Sequence, residues 1–111
     1  MKGGSREGLQ EKDYKILLVC SGGMSTTILM TKMQKYAEEW GFSLEIDACS
    51  AAVCQDKSQG YDVVLLGPQI AYQKSSIAAK LSKPVACMQP QDYAMARCEN
   101  IFRQVDEILG Q

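Results

Sequence analysis

Apolar residues gather in short runs along the chain, separated by polar and glycine-bearing segments. Lys15-Ile16-Leu17-Leu18-Val19-Cys20 is nearly continuous and ends in Ser-Gly-Gly, the pattern of a strand buried on both faces. From Ile28 to Trp40, Leu29, Met33, Tyr36, Ala37 and Trp40 share one helical face, and Gly41 follows where a helix commonly stops. Residues 44–49 (LEIDAC) alternate apolar with polar, as an edge strand with one solvated face does. Ser50 is placed to cap a short helix to about Lys57, closed by Gly60. Asp62-Val63-Val64-Leu65-Leu66 reads as another buried strand, ended by Gly67-Pro68, and Gln69 to Leu81 as a helix. Pro84-Val85-Ala86-Cys87-Met88 is a last strand, with proline first, where a missing donor does least harm. Met95, Cys98, Ile101, Phe102, Val105, Ile108 and Leu109 then recur every three or four residues, the clearest amphipathic helix in the chain.

Strand and helix therefore alternate four times. Such alternation implies a parallel sheet with helices on both faces. The expected architecture is α/β: a flavodoxin-like, doubly wound, four-stranded parallel sheet of order 2-1-3-4. Ligands of such sheets lie beyond the carboxyl ends of the strands, near the switch point beside the first strand, where the loop after Cys20 falls. Residues 1–13 (MKGGSREGLQEKD) mix charges of both signs with glycine and are expected to be a loose tail. Residues 14–111 form one domain, in keeping with a chain of 111 residues.

Composition narrows the chemistry. Twelve Lys and Arg against thirteen Asp and Glu leave a net charge of -1, which does not favour nucleic acid or an anionic membrane surface. No apolar run approaches the length of a membrane span or a signal h-region, so the expectation is a cytoplasmic chain that does not insert into a membrane. There are five cysteines and no histidine. Without histidine there is no imidazole base, no Ser-His or Cys-His pair and no HExxH metal site, and the chain cannot carry a phosphohistidine. The cysteines, at 20, 49, 54, 87 and 98, include no CxxC, so neither a zinc site nor a thioredoxin-type motif is expected. Cys49 and Cys54 are near enough in sequence to meet, but a reducing compartment disfavours the disulfide. Cys87 and Cys98 lie on apolar faces. All four read as small core hydrophobes.

Cys20 differs from the others. It opens the loop Cys20-Ser21-Gly22-Gly23-Met24-Ser25-Thr26-Thr27, which joins the first strand to the first helix. The glycines let backbone N–H groups turn inward, and Ser25, Thr26 and Thr27 add hydroxyl donors and an N-cap. Such donors at a helix start favour an anion, and a thiol there becomes a competent nucleophile. A buried cysteine followed by a plain turn is the simpler reading. Three hydroxyl residues in succession argue for anion donors instead. The loop lacks the lysine of a P-loop. It also departs from Cys-x5-Arg, since the sixth residue after Cys20 is Thr26. That counts against a low-molecular-weight cysteine phosphatase or arsenate reductase-like enzyme, which needs a guanidinium to hold the transition-state charge. A carrier that keeps a phosphoryl group on sulfur is better served without one. Asp62 is expected to open its strand at the far end of the sheet, and Asp92 to make a turn.

The run Cys20-Ser21-Gly22-Gly23-Met24-Ser25-Thr26 after a strand resembles the active-site loop of the enzyme IIB components of the bacterial phosphoenolpyruvate-dependent sugar phosphotransferase system, of the lactose/cellobiose (chitobiose) class. Residues 62–72 (DVVLLGPQIAY) are similar to that family's third strand and following turn, and Pro84-Val85 and Asp92-Tyr93 fall where it has its fourth strand and last loop. The resemblance covers about residues 15–109. It implies that Cys20 is the catalytic phosphocysteine nucleophile. Its donor would be a phosphohistidine of the IIA component, and its acceptor a disaccharide of the cellobiose, chitobiose or lactose class bound by membrane IIC. It further implies that Ser21, Gly22, Gly23, Met24, Ser25, Thr26 and Thr27 bind the phosphate, and that no metal or other cofactor is needed. Met24 favours the cellobiose/chitobiose branch. The absent histidine then becomes a division of labour, since the donor histidine is on another protein. Met24, Ile70 and Tyr72 are the candidate partner surface, with helix packing as the alternative for Ile70 and Tyr72. The expected state is a monomer at the inner face of the membrane. A non-enzymatic IIB-like regulatory module is a further alternative, disfavoured because the chain ends soon after its last helix.

Overall fold

The structure, a computed structural model, describes residues 13–20 and 24–110, with the side chains of Met24 and Ser25 excepted. The elements run β1 (Asp13–Val19), α1 (Met24–Trp40), β2 (Ser43–Cys49), α2 (Cys54–Lys57), β3 (Val63–Leu66), α3 (Lys74–Lys80), β4 (Val85–Cys87), α4 (Pro90–Ala94) and α5 (Cys98–Leu109). Short 3₁₀ segments cover Ser58–Gly60 and Pro68–Gln73. All strand pairs are parallel, in the order β2-β1-β3-β4 expected from the sequence.

Strand alternation sorts the apolar side chains into two cores. On one face Ile16, Leu18, Val63 and Leu65 pack against Leu29, Met33 and Ala37 of α1 and Ile101, Phe102 and Val105 of α5. On the other, Leu17, Val19, Val64 and Leu66 pack against Cys54, Ile70 and Ile77. Helices cover both faces because β1 and β3 have no polar face to leave wet, as their near-continuous apolar runs imply. The large residues concentrate on the α1/α5 side, where Tyr14, Tyr36, Phe42 and Phe102 meet at centroid distances of 5.0 to 6.2 Å. Gly41, at φ 79°, lets Phe42 fold back into this cluster, its N–H reaching the Ala37 carbonyl at 3.1 Å.

Several boundaries differ from the sequence pattern. Asp13 pairs with Ser43 and so belongs to β1 rather than to a tail. α1 begins at Met24, four residues before Ile28, absorbing Ser25-Thr26-Thr27 into its first turn. Ser50 does not cap α2. Val53 holds the capping position, and Ser50 contributes its carbonyl to the Val53 N–H at 3.3 Å. The segment expected as one helix from Gln69 is a kinked 3₁₀ stretch, with Ile70 at φ -117°, followed by a short α3. Met95 falls outside α5 and is exposed, because the chain breaks at Ala96, at φ 50°.

Candidate functional site

Cys20 extends β1 by one residue beyond the paired strand. Its N–H donates to the Cys49 carbonyl at 3.2 Å, and the Gly67 N–H donates to the Val19 carbonyl at 2.8 Å. The thiol is thus held at the carboxyl end of the central strand, between the ends of β2 and β3. Alternation continues from Ile16 and Leu18, so Cys20 faces the α1/α5 side. It is buried, 4% exposed.

Two hydroxyl groups follow the sulfur in series. Thr26 Oγ1 lies 2.8 Å from Cys20 Sγ, and Tyr93 Oη lies 3.0 Å from Thr26 Oγ1. Thr26 is buried and Tyr93 nearly so. Thr26 reaches the sulfur because the helix starts early. As the third residue of α1 it points back toward the strand end, which a threonine in a loose loop would not be fixed to do. The first turn of α1 holds no acidic residue, so nothing on it opposes the positive end of the helix dipole. Gly67 leaves room on the other side. A Cβ there would stand 3.2 Å from Cys20 Cβ and 2.5 Å from Gln69 Oε1.

Of the residues expected to bind phosphate, Thr26 meets the thiol directly, while Thr27 is exposed and its carbonyl accepts from Thr31 Oγ1 at 3.0 Å. Ser21, Gly22 and Gly23, and the side chains of Met24 and Ser25, lie outside the described residues. The candidate partner surface needs one correction. Ile70 is buried, 4% exposed, among Leu17, Val19 and Leu66, because the 3₁₀ turn after Pro68 directs it into the second core. Tyr72, two residues on, is 81% exposed. Tyr93 is the site residue the sequence reading missed. Its separation of 67 residues from Thr26 offers no spacing signal, and only the sheet order brings the two together.

Other ionisable groups lie at both ends of the sheet. Asp62 is exposed at the start of β3, where its N–H donates to the Lys15 carbonyl, at the opposite end of the sheet. Asp92 is buried, and its carboxylate accepts from Asn100 Nδ2 at 3.0 Å. Cys49 is half-buried, and burial, with the neighbouring Cys54 thiol, pushes its thiol up to about 11. Cys54 is buried and donates to the Ala51 carbonyl at 3.3 Å. Burial also raises Cys98. All five cysteines are thiols rather than disulfides. Arg97 and Arg103 are exposed and directed at Met95 Sδ and Glu99. Among the described residues, no helix is long and apolar enough to cross a membrane.

Comparison with known proteins identifies the family and the fold. The family described as "PTS system, Lactose/Cellobiose specific IIB subunit" matches residues 15–104. A galactose-specific EIIB component of Lactococcus lactis subsp. cremoris is 37% identical over 106 residues, covering 88% of this chain and 98% of that one. A cellobiose-specific EIIB component of Lactococcus lactis subsp. lactis is 36% identical over the same shares of both chains. The lactose-specific IIB domain of Streptococcus pneumoniae superimposes with a TM-score of 0.71 over 87% of this chain and 98% of that one; at 18% identity it speaks for the fold. With the strand order and these matches in agreement, the chain belongs to the lactose/cellobiose-specific IIB subunit family of the phosphotransferase system.

Proposed function

We propose that the protein is a phosphoryl carrier in which Cys20 takes a phosphoryl group from a phosphohistidine on a IIA component. It then delivers the group to a sugar bound by a membrane IIC component. The observation that carries this reading is the 2.8 Å contact between Cys20 Sγ and the Thr26 hydroxyl, at the end of β1 and the start of α1. In the first half-reaction the ionised sulfur attacks phosphorus. An S–P bond forms, the N–P bond of the phosphoimidazole breaks, and its electron pair returns to the ring nitrogen. In the second, a sugar hydroxyl attacks phosphorus, the S–P bond breaks, the thiolate leaves, and the hydroxyl proton passes to water or a base on the acceptor. Ser21 to Thr27 are assigned to the phosphoryl oxygens, with Thr26 as the side-chain donor.

The same contact disfavours a phosphatase. Thr26 occupies the position where Cys-x5-Arg enzymes carry a cation, and a neutral hydroxyl offers one hydrogen bond but no charge. A phosphocysteine held this way resists water and waits for its acceptor. Met24 and the exposed Tyr72 are proposed as the partner surface, with docking that is brief and involves a small area. The galactose- and cellobiose-specific names of the relatives leave the sugar to be assigned with IIC. Incubation with phosphorylated IIA should place one phosphoryl group on Cys20, mapped by peptide mass spectrometry, and Cys20→Ser should abolish it. Label on another residue, or none from any IIA of the class, would overturn the proposal. Turnover of an aryl phosphate that is lost in Cys20→Ser would instead favour the phosphatase.

A further inference from the structure

We infer that Tyr93 is a positioning residue for the nucleophile, acting through Thr26 to favour the ionised form of Cys20. This deepens the carrier reading and rests on Cys20 being the nucleophile. Thr26 has a single hydroxyl proton and stands between two groups, 2.8 Å from the sulfur and 3.0 Å from the Tyr93 hydroxyl. A thiolate can only accept, so in that state the Thr26 proton must point at sulfur. Thr26 Oγ1 then has a lone pair toward Tyr93, whose O–H donates to it. In the thiol state the order can reverse, with S–H donating to Thr26 and Thr26 to Tyr93. With the sulfur charged, the chain can therefore run only from Tyr93 O–H to Thr26 O–H to sulfur, whereas the thiol admits either direction. In this buried setting each bond polarises the next.

The backbone around Tyr93 is built to hold it there. Tyr93 sits on α4, which turns into α5 at Ala96, whose φ of 50° is the only positive one at a non-glycine among the described residues. An alanine resists that conformation. The corner is kept by the Asp92 carbonyl accepting the Arg97 N–H at 2.9 Å and by Asn100 Nδ2 on the Asp92 carboxylate at 3.0 Å. The buried Asp92 thus serves the neighbouring tyrosine rather than the sulfur. Among the described residues, other ionisable groups at this end of the sheet include Cys49, with its thiol pushed up to about 11 beside Cys54, Lys57 and Asp47, and Cys87 at the end of β4; Lys32 lines a surface groove together with Tyr93, Ile28 and Met95.

Tyr93→Phe keeps the ring and deletes the hydroxyl. The test is the pH–rate profile of Cys20 alkylation by iodoacetamide, mapped by peptide, beside single-turnover phosphoryl transfer from phosphorylated IIA. The expected profile midpoint moves up by about half to one pH unit, with alkylation about three- to tenfold slower below it. Tyr93→Phe added to Thr26→Val should produce no further shift, since the link is already cut. Asn100→Ala, which loosens the corner, should move the profile the same way by less. A Tyr93→Phe profile that superimposes on the parent, or an equal shift in the Thr26→Val background, overturns the inference. The alkylation arm needs no phosphoryl donor. A shifted profile with no transfer in any variant would therefore overturn the carrier reading alone, whereas unshifted alkylation with normal transfer would overturn the role of Tyr93 alone.

Discussion

Thr26→Val tests the site most sharply. Valine matches threonine in shape, so the change removes a hydroxyl and little else. The residue is 3% exposed, 2.8 Å from Cys20 Sγ and 3.0 Å from Tyr93 Oη. A hydrogen bond to a charged group is worth about 1.5 to 3 kcal/mol. If the Thr26 hydroxyl steadies the reacting sulfur and its phosphoryl group, single-turnover transfer should slow by about ten- to a hundredfold, at ~1.4 kcal/mol per factor of ten. Stability should fall by only about 1 kcal/mol, because a valine methyl fills the space and the Tyr93 hydroxyl loses one partner. Rapid-quench transfer from labelled IIA gives the rate, and urea unfolding the stability. Thr26→Ser retains the donor and should recover most of the rate. Transfer at the parent rate in folded Thr26→Val would refute the assignment of this hydroxyl.

Four further outcomes follow from particular residues. Gly67→Ala brings a Cβ to 3.2 Å from Cys20 Cβ and should slow transfer severalfold by displacing the thiol. The exposed Gln69 side chain can swing aside, but the buried Cys20 must give, so stability should fall by about 1 kcal/mol; an unaltered rate would contradict a close approach there. Ile70→Ala should cost about 2 to 4 kcal/mol in urea unfolding, as a large-to-small change in a core. Tyr72→Ala, at an 81% exposed position, should leave stability alone and weaken transfer through the apparent KM for IIA. Cys49, with its thiol raised to about 11, stays protonated at neutral pH, so alkylation mapped by peptide should leave it unmodified until the pH approaches that value.

The four strands and their order could be read from the sequence because the signals are local. Val63 to Leu66 is apolar throughout, and β1 is nearly so, which is what burial on both faces requires. The proposed nucleophile could be picked out for a similar reason, as its loop is contiguous. What escaped depended on contacts between distant segments or on a weighing of local preferences. Thr26 is a poor helix former that looks like a loop or cap residue, yet it lies in the first turn of α1, where its side chain is buried against sulfur. Ile70 and Tyr72 share one segment and differ only through the kink after Pro68, which buries one and exposes the other. Met95 fits the period of α5 but is cut off from it by the left-handed turn at Ala96. Tyr93 falls in a stretch that carries the family resemblance, but nothing local ties it to the thiol, and its contact with Thr26 exists only once β1 and the α4 corner have been brought together.

The central claim is that Cys20 holds the phosphoryl group between two partners. Phosphorus NMR of the protein after reaction with phosphorylated IIA reads this directly, and membranes containing IIC and its sugar can then be added to the same sample. The account predicts a single S-phosphoryl resonance, absent in Cys20→Ser, that persists until sugar and membranes are supplied and then converts to sugar phosphate. A resonance on another atom, or one that decays to inorganic phosphate without an acceptor, would contradict it.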